Sequence, residues 1–545
     1  MHFSFYNDLR IFKSSCTSRE KSQTLHSQNI AKKIKRQNII EKTLKMKKFL
    51  FLVALLLSGG LAQATVTLPS YFTDNMVLQQ QTTLKLRGKA SPNASVSVQT
   101  GWRRAALTAL ADASVNCILE MRTPKAGGPY TLTFDDGTSL MLKNVMIGEV
   151  WLGSGQSNME MPVKGCLNYE EEIKNANYPN IRLFQVKKVV ADLKPRDCFS
   201  LEYNMGGWQE CSPTTIPNFS ALCYFYALRL WEELKVPIGV IDDDWGGTPV
   251  EAWTRTEVLE SVFGSADIVA FYKSKNFDFN TLKAIFQSKK TLADNGQGPQ
   301  PGYFENPEGS HFPGGLWNAM MAPLVEFPLR GFIWYQGCTN VGHPDWYEAC
   351  FQAMIEDWRE QFGNPEMPFY FVQLANYLQP SDLQPESMWA RLRESQADAL
   401  CLKNTGMAVN IDLGDAKDIH PKTKRELGRR LAAVALHNTY GKKIPYTAPI
   451  YDDYSIEKDG VHIRFSMPEG SEAFVQDENL PGFIIADMNR QWHVAQAYTK
   501  GNEIIVNSPD VKTPLAVRYG WADNPTCTLK TKSNFHVAPF RTDRW

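Results

Sequence analysis

The sequence predicts an α/β protein built on a doubly wound, mostly parallel sheet, with a small β-sandwich before it and a β-rich region after it. Three observations carry this. Between Val145 and Tyr440 short apolar runs alternate with longer segments of helical spacing, the pattern of a parallel sheet wound by helices. Before Val145 and after about residue 446 the apolar residues recur in the strand period. Glycine, proline, asparagine and aspartate gather where the apolar runs end, so the chain turns there.

Taken in order, Thr83–Gly88, Ala94–Val98 and Tyr130–Phe134 alternate in period two, and the last runs into the turn Asp135-Asp136-Gly137. These short strands make residues 65–145 an N-terminal β-sandwich with a packing role. Residues 146–445 form the α/β domain. Its strands are Val145–Leu152, Ile238–Asp242, Gly331–Tyr335, Pro368–Leu374 and Gly406–Leu413; its helices are Ser220–Leu234, Asp345–Phe362, Met388–Leu400 and Pro421–Tyr440, the last opening at a proline. An insertion over about 263–315, rich in Asn, Lys, Gly and Pro, reads as a surface excursion near the site. Residues 446–545 return to strands at Gly460–Phe465, Gly482–Ala486, Glu503–Val506 and Leu515–Tyr519.

The chain has 545 residues, enough for two to four domains, with 58 basic and 58 acidic side chains. The zero balance hides an asymmetry: residues 1–64 hold 12 Lys/Arg against 3 Asp/Glu, leaving 46 against 55 in 65–545. A mildly acidic body argues against nucleic acid as a partner. Met46–Ala64 has two lysines, an apolar run and Ala62-Gln63-Ala64, the layout of a bacterial secretory signal peptide. The run is shorter than the ~20 residues of a spanning helix. Export to the periplasm or medium is expected, with a mature chain from near Thr65 that has no membrane span. Residues 1–45 then read as upstream sequence; the alternative is a cytosolic tail ahead of an uncleaved anchor. Of the ten cysteines, nine follow Cys16, and none makes a C-x-x-C pair, so no zinc or redox motif is indicated. Cys198 and Cys211 are the pair to check for a disulfide.

Four stretches carry chemistry. Gly148–Pro162 reads G-E-V-W-L-G-S-G-Q-S-N-M-E-M-P. A buried strand ending in small residues can hold one hydroxyl at the lip of a sheet, and a following helix aims its N–H groups at it, so Ser157 is the candidate nucleophile. Met159 occupies the place of the second glycine of a G-x-S-x-G elbow. Trp245-Gly246-Gly247-Thr248-Pro249 can offer a backbone N–H to an oxyanion. Trp334-Tyr335-Gln336-Gly337-Cys338-Thr339-Asn340 sets two amides at a strand end. Asp415-Ala416-Lys417-Asp418-Ile419-His420-Pro421 places two acids within five residues of a histidine, as a base needs.

The order Ser, Gly, Asn, Asp-x-His at successive strand ends resembles the SGNH-type hydrolases. More closely, the chain resembles the sialate O-acetylesterase family, through the segments above and through Asp74–Gln79, Val250-Glu251-Ala252-Trp253, Val517–Trp521 and Phe540–Asp543. The resemblance implies the SGNH-hydrolase, flavodoxin-like version of the doubly wound sheet. It implies a serine carbohydrate esterase that removes O-acetyl groups from sialic acid or sialoglycans, with no metal or organic cofactor. Ser157 attacks, His420 serves as base and then acid, and Asp418 orients it, with Asp415 the alternative. The N–H groups of Ser157 and Gly247, with an amide of Asn340 or Gln336, hold the oxyanion.

The chain departs from the family pattern where Cys338 replaces a glutamate and where Lys417 stands three before the histidine in the usual place of the acid. Asn340 also lies one residue further from its glycine than usual. Two other functions follow from the same residues: an acetylxylan or other polysaccharide esterase, suggested by Tyr272 and Tyr303 in an insertion without arginine, and a catalytically silent glycan-binding protein, suggested by Cys338. Oligomeric state is not encoded in any motif.

Overall fold

Apolar on both parities, Val145–Leu152 can only be a strand covered on two faces, and the rest of the fold is arranged around it. In the computed structural model, which describes residues 66–545 except 113–115, 192–205, 263–265, 277 and 302–304, together with Met46 alone, this run is the inner half of a strand spanning Ser139–Gly155. The leader, Cys198 and Tyr303 lie outside the described residues. Cys211 is a buried free thiol.

The strands ahead of it are β1 (Val77–Gln79), β2 (Thr83–Lys89), β3 (Ser95–Thr100), β4 (Leu107–Leu110), β5 (Asn116–Arg122) and β6 (Gly127–Asp135); the long strand is β7. Along β2, Leu84 and Leu86 are buried while Lys85 faces water, as the period-two pattern requires. β3 pairs with β4 and β6, β6 and β1 pair with β7, and β2 and β5 form a separate antiparallel pair. This region shares β7, and one continuous hydrophobic core, with the α/β part.

Beyond β7 come α1 (Ser157–Glu160), α2 (Tyr169–Asn175), β8 (Tyr178–Gln185), β9 (Gln209–Cys211), α3 (Ala221–Leu234) and β10 (Ile238–Asp244). Three helices, α4 (Thr256–Leu259), α5 (Ala266–Ser274) and α6 (Phe279–Asp294), precede β11 (Gly331–Tyr335). The remainder of this part is α7 (Pro344–Gln361), β12 (Phe369–Val372), α8 (Met388–Asp398), β13 (Thr405–Ala408) and α9 (Lys424–Asn438).

Six of these strands are parallel in the order β13-β12-β11-β7-β10-β8, and β9 joins β8 antiparallel within the same mixed sheet. Numbered along the chain, the parallel order is 2-3-1-4-5-6: β10, β7, β11, β12 and β13 by themselves have the flavodoxin-like order 2-1-3-4-5, and β8 is added at the edge outside β10. Trp151 of β7 packs on Tyr226 of α3 and on Tyr440, while Trp334 of β11, of opposite parity, packs on Phe351 and Trp358 of α7. Helices thus cover both faces of the sheet.

Three charged residues of the motifs hold this frame. Buried Glu149 accepts hydrogen bonds from Arg330 (Nε to Oε2, 2.6 Å), Gln80 (2.6 Å) and Tyr440 (2.9 Å), tying the first strands to the sheet. Arg518 and Asp543 form a buried bidentate pair at 2.8 and 2.5 Å, which joins the two C-terminal motifs.

The last hundred residues supply β14 (Ile450–Ile456), β15 (Val461–Ser466), β16 (Phe483–Ala486), β17 (Trp492–Val494), β18 (Gln496–Lys500), β19 (Glu503–Asn507), β20 (Ala516–Tyr519) and β21 (Phe540–Arg541). They form two four-stranded antiparallel sheets, β14-β15-β19-β18 and β17-β16-β20-β21, around a second apolar cluster that includes Ala433 of α9.

Candidate active site

Ser157 sits where β7 gives way to α1. The turn is fixed by its neighbours: Gln156 N–H donates to the Tyr335 carbonyl at 3.0 Å, and the Gln156 Oε1 accepts from Gly337 N–H at 3.0 Å. Gly155 has φ +140°, and a Cβ there would lie 2.3 Å from the Tyr335 carbonyl oxygen, so only glycine lets β7 and β11 close at this point. Among the described residues the Ser157 N–H, the first of α1, donates to no protein group.

His420 lies in the irregular segment before α9. That helix begins at Lys424, not at Pro421, and β13 ends at Ala408, not at Leu413. The segment between is long enough to swing back over the sheet edge. His420 Nε2 is 2.8 Å from Ser157 Oγ, and His420 Nδ1 is 3.3 Å from Asp418 Oδ1. The same Asp418 oxygen accepts the His420 backbone N–H at 2.9 Å, and this bond, foremost, holds the Asp418 carboxyl below the usual carboxylate range. The alternative acid, Asp415, instead closes a turn on its own backbone, accepting from Lys417 N–H at 2.7 Å and Asp418 N–H at 3.3 Å.

The glycine turn after β10 passes beside the serine: a Cβ on Gly246 would lie 3.3 Å from Ser157 Cβ. Gly246 N–H donates to Glu160 Oε2 at 2.5 Å, and Glu160 also pairs with Lys188. Gly247 has φ +77° and is exposed, and its N–H donates to no group among the described residues. Its carbonyl accepts from Thr339 Oγ1 at 3.1 Å and lies 2.9 Å from His311 Nε2, so the insertion reaches the site.

The two amides expected at the oxyanion behave differently from that expectation and from each other. Gln336 is fully buried, and its Nε2 donates to the Thr248 carbonyl at 3.1 Å and to Asn340 Oδ1 at 2.7 Å. Both its hydrogens are spent on the loop, so it is a brace and not an oxyanion donor. Asn340 Nδ2 donates to Glu251 Oε2 at 2.9 Å, and its Oδ1 also accepts Val250 N–H at 3.1 Å. One Nδ2 hydrogen remains. Burial, foremost, raises the Glu251 carboxyl.

Four residues near Ser157 were not marked by the sequence: Asn158, Lys424, Glu160 and His311. Asn158 Nδ2 donates to the Ile419 carbonyl at 3.0 Å, and Lys424 Nζ donates to Asn158 Oδ1 at 2.7 Å. The clue to Lys424 was a cation in the first turn of a helix, where the dipole disfavours it. Glu160 had a clue in its place three residues after Ser157; His311 had none. Cys338 is half-buried, and desolvation pushes its thiol up to about 12, so it is neutral.

A cavity of about 690 Å³ opens beside the serine, lined by Ser157, His420, Asp418, Lys164, Lys422 and Tyr169 among others, none of them arginine. Away from it, Glu457, Asp459 and His462 are the one group among the described residues that brings three possible metal ligands within 4.8 Å. Hydrogen bonding accounts for that group: His462 Nε2 lies 2.9 Å from Asp459, and Nδ1 3.3 Å from Glu503.

Hydroxyl, imidazole and carboxylate in hydrogen-bonded line, at the carboxyl edge of parallel strands, form the constellation of the serine hydrolases. Residues 314–437 match the carbohydrate esterase, sialic acid-specific acetylesterase family. The chain is 28% identical over 505 residues to the sialate O-acetylesterase of Pongo abelii, covering 86% of this chain and 89% of that one. The Homo sapiens sialate O-acetylesterase is 27% identical over 503 residues, at 86% and 89% coverage. A solved structure of a carbohydrate acetylesterase from Xanthomonas citri superposes with a TM-score of 0.74 at 33% identity, over 88% of this chain and 100% of that one. The chain belongs to the sialate O-acetylesterase family, and it is an ester hydrolase.

Proposed function

We propose that the protein is an exported serine carbohydrate esterase that removes O-acetyl groups from sialic acid or sialoglycans through an acyl-enzyme. The observation that carries this is the Ser157–His420–Asp418 line. His420 takes the Ser157 proton as Oγ attacks the acetyl carbonyl, gives it to the sugar oxygen as the ester C–O bond breaks, and then activates the water that releases acetate. Asp418 holds the imidazole in one tautomer and stabilises the imidazolium. The Ser157 and Gly247 N–H groups, with the remaining Asn340 hydrogen, serve the developing oxyanion.

Lys164 and Lys422 on the cavity wall offer positive charge to the carboxylate of an acidic sugar. A second substrate class, acetylated xylan, is favoured by the lack of arginine in that wall and by Tyr169, which offers a ring to a neutral sugar. The intact hydrogen-bonded line weighs against a silent binding protein. Export rests on the leader at Met46–Ala64, and so does the proposed mature start near Thr65. The four-part division at about 64, 145 and 445 belongs to the same proposal, with the second boundary falling inside β7.

The test is acetate release from O-acetylated sialic acid and from acetylated xylan, side by side, by the 65–545 chain. Release from the sialate supports the first substrate class and release mainly from xylan the second. Release from neither by folded protein defeats the esterase proposal.

A further inference from the structure

Lys424 is fully buried, and it opens α9, where the helix dipole opposes a cation. Among the described residues no carboxylate lies within ion-pairing distance of its Nζ. Its contacts are Asn158 Oδ1 at 2.7 Å and the face of the Tyr335 ring, 5.2 Å to the centroid. The titratable groups that face it are the thiols of Cys166 and Cys338 and, in its own loop, Asp418. A buried cation so poorly compensated costs stability, and an apolar residue would serve the core better.

What the ammonium does supply is direction. An ammonium only donates, so it fixes which end of the Asn158 amide points at it. The Asn158 Nδ2 is then left to hold the Ile419 carbonyl at 3.0 Å. Asn158 follows Ser157 and Ile419 precedes His420, so this one amide ties the nucleophile turn to the loop that carries the base. We infer that Lys424 is a positioning residue of the esterase: its charge orients Asn158, which sets the Ser157–His420 distance. This inference rests on Ser157 and His420 being the reacting pair.

A consequence is a dependence on pH. Desolvation, opposed by the two thiols and Asp418, brings Lys424 down to about 7. A neutral amine both donates and accepts, so it no longer dictates the amide's orientation. Loss of the proton should therefore loosen the Ser157–His420 pair, and kcat should fall as pH rises above about 7.

The experiment compares the 65–545 chain with Lys424→Met, Lys424→Arg and Asn158→Asp. It measures p-nitrophenyl acetate hydrolysis from pH 5.5 to 9.5, the rate of Ser157 labelling by a fluorophosphonate, and Tm. For Lys424→Met the expected result is a kcat lower by about 10- to 100-fold, KM within about 2-fold, labelling slowed in parallel, Tm equal to or above the parent, and no alkaline limb. Lys424→Arg keeps a charge at all these pH values; it should recover part of kcat and lose the limb. Asn158→Asp gives the ammonium a carboxylate but removes the donor to Ile419. It should lower kcat similarly, and should Lys424→Met fail to fold, the alkaline limb of Lys424→Arg decides the question: its loss supports the inference and its persistence overturns it. Parent-like kcat in Lys424→Met or Asn158→Asp overturns the inference, as does a kcat loss matched by an equal loss of Tm. Acetate release by Ser157→Ala would instead overturn the esterase site itself, whatever the Lys424 variants do.

Discussion

Two polar clusters sit at the carboxyl ends of neighbouring strands, and in the sequence they look alike. After β7 and before α9, Ser157, His420 and Asp418 form a line whose side chains are partly open to a cavity, His420 and Asp418 being 37% and 40% exposed. After β11, Gln336 and Asn340 interlock with Thr248, Val250 and Glu251 in a place where Gln336 has no exposure at all. The first keeps hydrogen-bonding capacity for something that is not protein. The second spends both Gln336 hydrogens and one of the Asn340 hydrogens on protein. A donor can serve a reacting group only with a hydrogen that protein has not taken, and Gln336 has none left while Asn340 keeps one. That difference, and not the residue type, separates chemistry from bracing along this sheet edge.

The largest effect that tests this division is loss of the nucleophile. Ser157→Ala should lower acetate release by at least ~10³-fold with an unchanged far-UV spectrum, and turnover near the parent's would end the assignment. His420→Ala should fall on the same scale, because serine and base act as a unit. Asp418→Asn should cost about 10²-fold, while Asp415→Asn should stay within about 2-fold; a reversed ranking of the two would move the acid. Gln336→Leu should act on stability instead. Stranding the Thr248 carbonyl and leaving Asn340 Oδ1 with only the Val250 N–H should cost about 1–3 kcal/mol in denaturant unfolding, with kcat per folded molecule within about 3-fold. A large kcat loss at unchanged stability would put Gln336 among the reacting groups and dissolve the comparison.

The smallest effect concerns acid. The Asp418 carboxyl is depressed in the folded state, so its contribution to stability is complete above the ordinary carboxylate value and is lost as pH falls through the folded one. Its exposure keeps that contribution small. Asp418→Asn should therefore barely move the midpoint of acid unfolding while it lowers activity at neutral pH, and a large shift of the midpoint would make Asp418 a structural residue.

By itself the sequence determined the alternation of strands and helices, the central place of Val145–Leu152, and the candidacy of Ser157, His420 and Asp418. Those features are local: burial on two faces demands a continuous apolar run, and a turn at a strand end demands small residues. Gly331–Tyr335 comes out residue for residue, and Ser220–Leu234 differs only in that Ser220 caps the helix, its Oγ accepting from Cys223 N–H.

Tertiary structure alone decided the rest. The return of β10 between β7 and β8 is a matter of packing between distant segments, as is the fusion of the first strands to the main sheet through β7. The choice of Asp418 over Asp415 turned on which carboxylate the loop aims at His420, and two acids three residues apart carry no such direction in their names. Gln336 looked like a donor to substrate because sequence shows which groups can donate but not which are already engaged. Lys424 and Asn158 were invisible for the same reason: 266 positions separate them along the chain, and only the fold brings them to 2.7 Å.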